Sequence, residues 1–293
     1  MKVTLDGYPD PENAPVVLGY RAHKFVDAGL ELDILNPLLP GRPLQYVVNR
    51  SVDVTISHLP QVALAQEKGA SIVAIGSLVP EPTATLIWLP KSGIKDVADL
   101  KGKTIAIPGL SFQRDLLRSV LAQAGLTLGD VKVESVGFEL VSALVSGRAD
   151  AIFGATWNVE GVELETRGLN PVITRIQDLG IPDYDELVVV ARRDRLAESP
   201  DLYRDFMAAL EEGTAAAIED PAEAIDVIDD EPTSPSEQAT KAGVEATSPL
   251  LSTSGEIDPG QAEGLVKWMH EEEMIRRVPP VSSLLTGEYL PDS

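Results

Sequence analysis

Two apolar rhythms alternate along the chain. Short β-branched runs ending in Gly, Pro or Asp read as strands. Longer stretches with apolar residues every three to four positions read as amphipathic helices. Val3-Thr4-Leu5 predicts a first strand, followed by a Pro-, Asp- and Asn-rich turn (9–15) and a helix over Val16–Val26. Ala28-Gly29-Leu30 stops that helix, because glycine accepts the left-handed conformation that ends helices. A strand over Glu31–Leu35, a helix over about Pro43–Asn49 and a strand over Val52–Ser57 follow.

About a hundred residues later the pattern repeats. A strand over Lys103–Ile107 ends in Pro108-Gly109, a helix over Phe112–Ala124 stops at Gly125-Leu126, and a strand spans Val131–Val136. The helix Leu140–Ser146 then leads through Gly147-Arg148-Ala149 to a strand over Asp150–Gly154. Gly29 and Gly125 are 96 residues apart, and Asp53 and Asp150 are 97 apart. Shared offsets and shared Arg-x-(x)-Asp punctuation predict two similar β-α-β-α-β units with parallel strands and right-handed crossovers.

Ala84–Leu89 enters the second unit and Glu186–Ala191 leaves it, so these two β-rich runs predict a two-strand hinge. The expected division is 1–88 with 190–293 as lobe 1, and 89–189 as lobe 2. From Pro200 the pattern turns helical, over Asp201–Ile218, Pro221–Ile228, Lys241–Leu251 and Asp258–Met269, and this tail is expected to pack on lobe 1. Asp229–Ser236 reads as an acidic loop whose Asp229-Asp230-Glu231 cluster is solvated rather than a calcium site.

Composition narrows the function. A net charge of −22 repels phosphate backbones and anionic lipid, which argues against nucleic-acid and membrane-surface partners. The absence of cysteine removes disulfides, thiol catalysis and Cys-type zinc sites, and three scattered histidines make a metal site improbable. No apolar run reaches the roughly 18 residues of a membrane span. Dinucleotide, phosphate-loop, HExxH and GxSxG motifs are missing, so no enzyme signature and no cofactor motif stands out.

In open parallel sheets ligands bind beyond the carboxyl ends of the strands. That rule selects Asp6, Gly7, Tyr8, Pro9, Ser57, His58 and the Pro80–Thr83 turn with Thr83 from the first unit, and Asn13, in the turn that follows Pro9, is added as a candidate site residue. From the second it selects Gly109, Ser111, Phe112, Phe138, Trp157, Asn158 and Glu160. Trp157 offers a flat face, with Asn158 and Glu160 as hydrogen-bonding groups, a combination suited to a heteroaromatic solute. Each has a plainer alternative: Trp157 as core, Glu160 as a solvated first-turn carboxylate, Ser111 as a helix cap, His58 as a structural histidine, Tyr8 as cover for the Pro-rich turn.

Asp6-Gly7-Tyr8-Pro9-Asp10-Pro11-Glu12-Asn13-Ala14 resembles the Asp-Trp-x-Pro-Asn-x-x-His-x-Gly segment of a known family. Lys24–Leu30 resembles its Gly-Tyr-Phe-x-x-x-Gly-Leu, and Trp157-Asn158-Val159-Glu160 its Tyr-Trp-Asn-x-Glu stretch. Asp99–Ile105 and Gly147–Ala151 are shared with sulfonate and nitrate binders. The family comprises ABC-importer solute-binding proteins for thiamine pyrimidine precursors and riboflavin, together with the related fungal thiamine-pyrimidine synthase.

The resemblance implies a type II periplasmic-binding-protein fold and a monomer outside the cytoplasm, partnered by a small ligand, a permease and an ATPase. It implies a leader removed and, at most, a lipid anchor as the link to the membrane. It makes Trp157 and Glu160 ligand contacts, with Glu160 accepting from a pyrimidine amine. Gly7 stands where the family has Trp, and Asn13 where it has His. A stacking wall is therefore lost or supplied by Tyr8, and a flavin, sulfonate or nitrate remains an alternative guest. The synthase alternative would need pyridoxal phosphate on a lysine, that histidine and a Cys-rich loop.

Overall fold

The structure, a computed structural model, describes residues 1–37, 39, 41–229 and 235–291. Most of the acidic loop expected after Asp229, including Asp230 and Glu231, lies outside the described residues. In chain order the first part runs β1 (Lys2–Thr4), α1 (Ala14–Arg21), α2 (Lys24–Asp27), β2 (Asp33–Leu35), α3 (Arg42–Val48), β3 (Val54–Ser57), α4 (Leu59–Glu67) and β4 (Ile72–Val79). The second runs β5 (Ala84–Trp88), β6 (Thr104–Ile107), α5 (Ser111–Gln123), β7 (Lys132–Ser135), α6 (Leu140–Val145), β8 (Ala151–Thr156), α7 (Val162–Thr166) and β9 (Val172–Arg175). Then come β10 (Leu187–Arg192), α8 (Arg193–Glu198), α9 (Pro200–Glu219), α10 (Pro221–Asp229), α11 (Glu237–Thr247), α12 (Pro259–Glu271) and α13 (Val281–Leu284).

The strands form two five-stranded sheets of matching plan, β2-β1-β3-β10-β4 and β7-β6-β8-β5-β9. In each, four strands run in one direction and the fourth place in the order is taken by an antiparallel strand that has just arrived from the other sheet. The chain passes between sheets twice, at residues 80–83 and between Arg175 and Leu187. This shifts the exchange points away from 88/89 and 189/190. Ala84–Trp88 is wholly part of the second sheet and Leu187–Arg192 wholly part of the first. Both strands are interior to their sheets and buried on both faces apart from Arg192, which explains their nearly continuous apolar sequence: such a strand loses the period-two alternation.

The helix expected over Val16–Val26 breaks at His23, whose φ of 60° ends α1 and starts α2. The segment 59–79, which the periodicity left unassigned, forms α4 and β4. All eight residues of β4 are buried, so its run carries no alternating signal. The tail does more than enlarge the first unit. Helix α9 packs Phe206, Met207 and Leu210 with Val3, Ile56 and Val189 of the first sheet. Beyond it, Ser119 of α5 donates to the Glu272 carboxylate just after α12 (2.6 Å), tying the tail to the second sheet's helices.

Helices α1 and α9 meet at two glycines. A Cβ on Gly213 would stand 2.3 Å from the Pro15 carbonyl oxygen and 3.0 Å from Gly19 Cα, so the two backbones touch where neither helix has a side chain. This contact seats α1, and therefore the loop that precedes it, against the first sheet.

Candidate functional site

The carboxyl ends of β1, β3, β6 and β8 open on one cleft of about 880 Å³, inside the range of roughly 300–1,000 Å³ usual for small-molecule sites. The loop after β1 forms one wall. Asp10 caps the short turn Pro11–Asn13, its Oδ1 accepting from the Glu12 and Asn13 N–H groups at 2.9 and 3.0 Å. The Asn13 amide then donates to Asp6 Oδ1 (3.0 Å) and Asp10 Oδ1 (3.1 Å), holding two carboxyls side by side. Pro9, Pro11 and Pro15 fix φ along this loop, which limits its escape from that geometry.

Crowded, buried carboxyls resist ionisation. Burial, then the neighbouring Asp6, pushes the Asp10 carboxyl up to about 7, against the Asn13 hydrogen bonds and with a further push from Glu160. Burial likewise raises Glu160, although Thr156 N–H (2.8 Å) and its hydroxyl (3.0 Å) both donate to Glu160 Oε2. Glu12, 4% exposed, is held well above the usual carboxylate range by burial and by Asp10 and Glu186.

Behind the cleft lies the junction of the two exchange points. The Glu186 carboxylate, just before β10, accepts from the N–H groups of Thr83 (2.9 Å), just before β5, and Ala84 (3.3 Å), its first residue. Its other oxygen lies 3.0 Å from His58 Nδ1. Burial opposes charge on His58, but the hydrogen bond and charge of Glu186, with Asp6 3.9 Å from Nε2, outweigh it and raise its pKa. One carboxylate thus joins both inter-sheet passages to a histidine at the cleft floor.

Tyr8, Pro9, His58, Phe138 and Glu160, expected at strand tips, line the cleft. The Tyr8 and Phe138 rings meet across it with centroids 4.9 Å apart, one from each sheet's loops. Gly7 makes this contact fit, since a Cβ there would already stand 3.3 Å from Phe138 Cε1. The place of a side chain at position 7 is taken by a ring from the opposite side.

Eight others lie elsewhere. Asn13 positions Asp6 and Asp10. Ser57 is buried and donates to Gln61 (3.0 Å), and Thr83 is buried at the first passage. Phe112 is buried with its ring 5.2 Å from that of His58. Gly109 and Ser111 line a separate hollow of about 310 Å³. Asn158 is a buried tie, donating to Glu12 Oε1 (3.0 Å) and Thr247 Oγ1 (2.8 Å). Trp157 is half-buried outside the cleft lining, with the Arg175 guanidinium 4.5 Å over its ring. The reason is local: residues 157–161 form a π-helical turn, which rotates Trp157 towards β9 and leaves Glu160 at the cleft.

Asp6, which the strand-tip rule also selects, lines the cleft with Asp10, Glu12 and Gln113, the last three lying beyond the expected set. The first three sit in the N-terminal segment already singled out, so their signal was present. Gln113, in the first turn of α5, has no sequence signature. Among the described residues no group of His, Cys, Asp and Glu is arranged to hold a metal ion.

Comparison with known proteins fits this geometry. A family described as NMT1/THI5 like matches residues 11–224. The chain belongs to that family. It is 32% identical over 233 residues to a formylaminopyrimidine-binding protein of Halalkalibacterium halodurans, covering 78% of this chain and 69% of that one. A 4-amino-5-hydroxymethyl-2-methylpyrimidine phosphate synthase of Schizosaccharomyces pombe is 27% identical over 221 residues, covering 72% and 63%. The alkanesulfonate-binding protein of Xanthomonas axonopodis, solved with MOPS, superposes with a TM-score of 0.76 at 19% identity over 97% of both chains. The periplasmic aliphatic sulphonate binding protein of Escherichia coli superposes at 0.73 and 17% identity, over 98% of this chain and 91% of that one. The fold of this NMT1/THI5-like protein is therefore that of the periplasmic binding proteins.

Proposed function

We propose that this protein is the extracytoplasmic solute-binding component of an ABC importer, and that it captures a small amino-bearing heteroaromatic solute of the thiamine-pyrimidine type. The two sheets form two lobes, divided at the passages around residues 80–83 and 176–186. The lobes close on the guest and present the closed form to a permease and its ATPase. The observation that carries this reading is the cleft itself. Tyr8 and Phe138 supply aromatic surface from opposite lobes, and Asp6, Asp10 and Glu160 supply acceptors for ring-bound amines.

The same carboxyls weigh against the other guests. A sulfonate or nitrate would bring negative charge to three acidic side chains, and the lining offers Arg167 already paired with Glu163. The synthase alternative finds little support. No lysine is among the described residues lining the cleft, and the chain has no cysteine. A lysine-bound pyridoxal phosphate and a Cys-rich loop therefore do not fit this site. Flavins exceed what the acceptor-lined end requires but share its stacking needs.

Isothermal titration with 4-aminopyrimidines, riboflavin, taurine and nitrate tests the reading. Micromolar or tighter binding of an aminopyrimidine, with the sulfonate and nitrate silent, is the expected result. A panel in which no aminopyrimidine binds sinks it. A visible absorbance band on adding pyridoxal phosphate would restore the enzyme reading.

A further inference from the structure

Helix α5 begins at Ser111, and its third residue, Gln113, turns into the cleft wall, 3% exposed. What seats it is Gly154. The pairing of β5 with β8 slips between Thr85 and Leu86, so that Gly154 is the extra residue of a β-bulge. Its φ is +85°, and a Cβ there would lie 2.6 Å from Gln113 Nε2. Only glycine both adopts that backbone and lets the amide lie against it. The Gln113 Nε2 group donates to the Gly154 carbonyl at 3.4 Å, which fixes which end of the amide faces the strand. The Oε1 atom is left buried without a hydrogen-bond partner.

A buried acceptor without a partner is costly, and one on a residue of the cleft wall is a place where a ligand N–H can complete it. Gln113 shares the cleft lining with Asp6, Asp10 and Glu160, all of them acceptors when ionised. A guest that satisfies this set must carry N–H groups on more than one edge.

We propose that Gln113 is a specificity-determining ligand contact, its Oε1 accepting an N–H from an N-heterocycle whose remaining donors meet the Asp10 and Glu160 carboxyls. This deepens the binding-protein reading and rests on it. The class is a diaminated or ring-protonated heterocycle. Its amidine-like edge pairs with a carboxylate and its second amine with the amide oxygen. The two sheets contribute to one recognition: Asp10 belongs to the loop after β1 and Gln113 to the helix after β6.

The test compares 2,4-diaminopyrimidine with 2-aminopyrimidine, which lacks one amine, by isothermal titration. The wild-type chain is expected to prefer the diamine at least tenfold, about 1.4 kcal/mol. Gln113→Met keeps the length and removes the acceptor. It should cut the preference to within twofold, the diamine losing far more affinity than 2-aminopyrimidine. Gln113→Glu loses the donor to Gly154 but keeps an acceptor, and should retain the preference. A purely structural role for Gln113 would weaken both probes together in both variants, and that result overturns the proposal. If Gln113→Met melts below the assay temperature, Gln113→Glu decides: loss of preference there also overturns it. Other aminopyrimidines binding while both probes fail would refute this contact and spare the broader reading. Failure of every aminopyrimidine removes both.

Discussion

Asp10 shows what one side chain is made to carry. Its Oδ1 caps a turn and receives the Asn13 amide, yet its pKa is pushed up to about 7 from an ordinary 3.8. Between about pH 4 and 7 the folded chain holds a proton that the unfolded chain has released. Folding stability attributable to this group therefore falls as pH rises through that window, and the full penalty stands above 7. Asp10→Asn keeps an acceptor for the cap and removes the penalty. By chemical denaturation it should be more stable than the wild type at pH 8 by about 1 to 3 kcal/mol, less than the full shift implies because Asp10 is partly exposed. The advantage should shrink at pH 5, and equal differences at both pH values would refute this account. Burial acts on His58 in the opposite direction, although its raised pKa gives stability the same dependence on pH. Burial alone would depress it, and Glu186 is what raises it. In Glu186→Ala the imidazole should titrate lower by NMR. The variant should also lose about 3 kcal/mol or more, since two passage N–H groups lose their acceptor. At this scale the sequence was only partly legible. Strand-tip position selected Glu160, His58, Tyr8 and Phe138, all of which line the cleft, but nothing in Trp157-Asn158-Val159-Glu160 announces a π-helical turn, and that turn decides which of the four line it.

Elements were more legible than their edges, because burial writes a period into the chain wherever one face is wet. Helix α5, with Phe112, Leu116, Leu117, Val120 and Leu121 buried, appears in the periodicity within a residue of its ends. Strand β4 does not, because every one of its side chains is buried and the alternation vanishes. The repeat offset correctly implied twin sheets. The positions of β5 and β10 needed the structure, since a strand that enters a sheet and one that bridges two sheets have the same apolar run. The α1–α9 contact illustrates a rule that composition hides. Alanine is the better helix former by about 1 kcal/mol, so Gly213→Ala would stabilise an isolated α9. Here the new methyl meets the Pro15 carbonyl at 2.3 Å, and backbone cannot swing aside as a side chain can. Overpacking of this kind costs about 1 to 3 kcal/mol or more and outweighs the propensity gain. Urea denaturation should find Gly213→Ala less stable by about 2 kcal/mol, and a gain in stability would show that the helices part freely.

For the molecule as a whole, the proposed function would make ligand capture and domain closure one event. The walls of the cleft belong to different sheets, and among the described residues the chain passes between those sheets at two places. Both passages are gripped by the Glu186 carboxylate, which also holds the histidine on the cleft floor. The aromatic contact between Tyr8 and Phe138 and the buried tie of Asn158 to Glu12 and Thr247 close the circuit on the outer side. On the proposed reading, a guest lodged between the acceptor groups would bond to both lobes, so its binding energy would fall on the closed form rather than on either lobe alone. Because the chain has no cysteine, single cysteines can be placed at will. Glu31→Cys beside β2 and Lys132→Cys on β7 are exposed, one near each outer sheet edge. Fluorophores on this pair should report a saturable change in energy transfer on adding an aminopyrimidine. The same addition at a hundred times Kd should stabilise the fold by about 2.7 kcal/mol. Stabilisation without any change in transfer would mean that the guest enters a cleft already closed. The hinge would then play no part in capture, and the link drawn here between Glu186 and ligand binding would have to be abandoned.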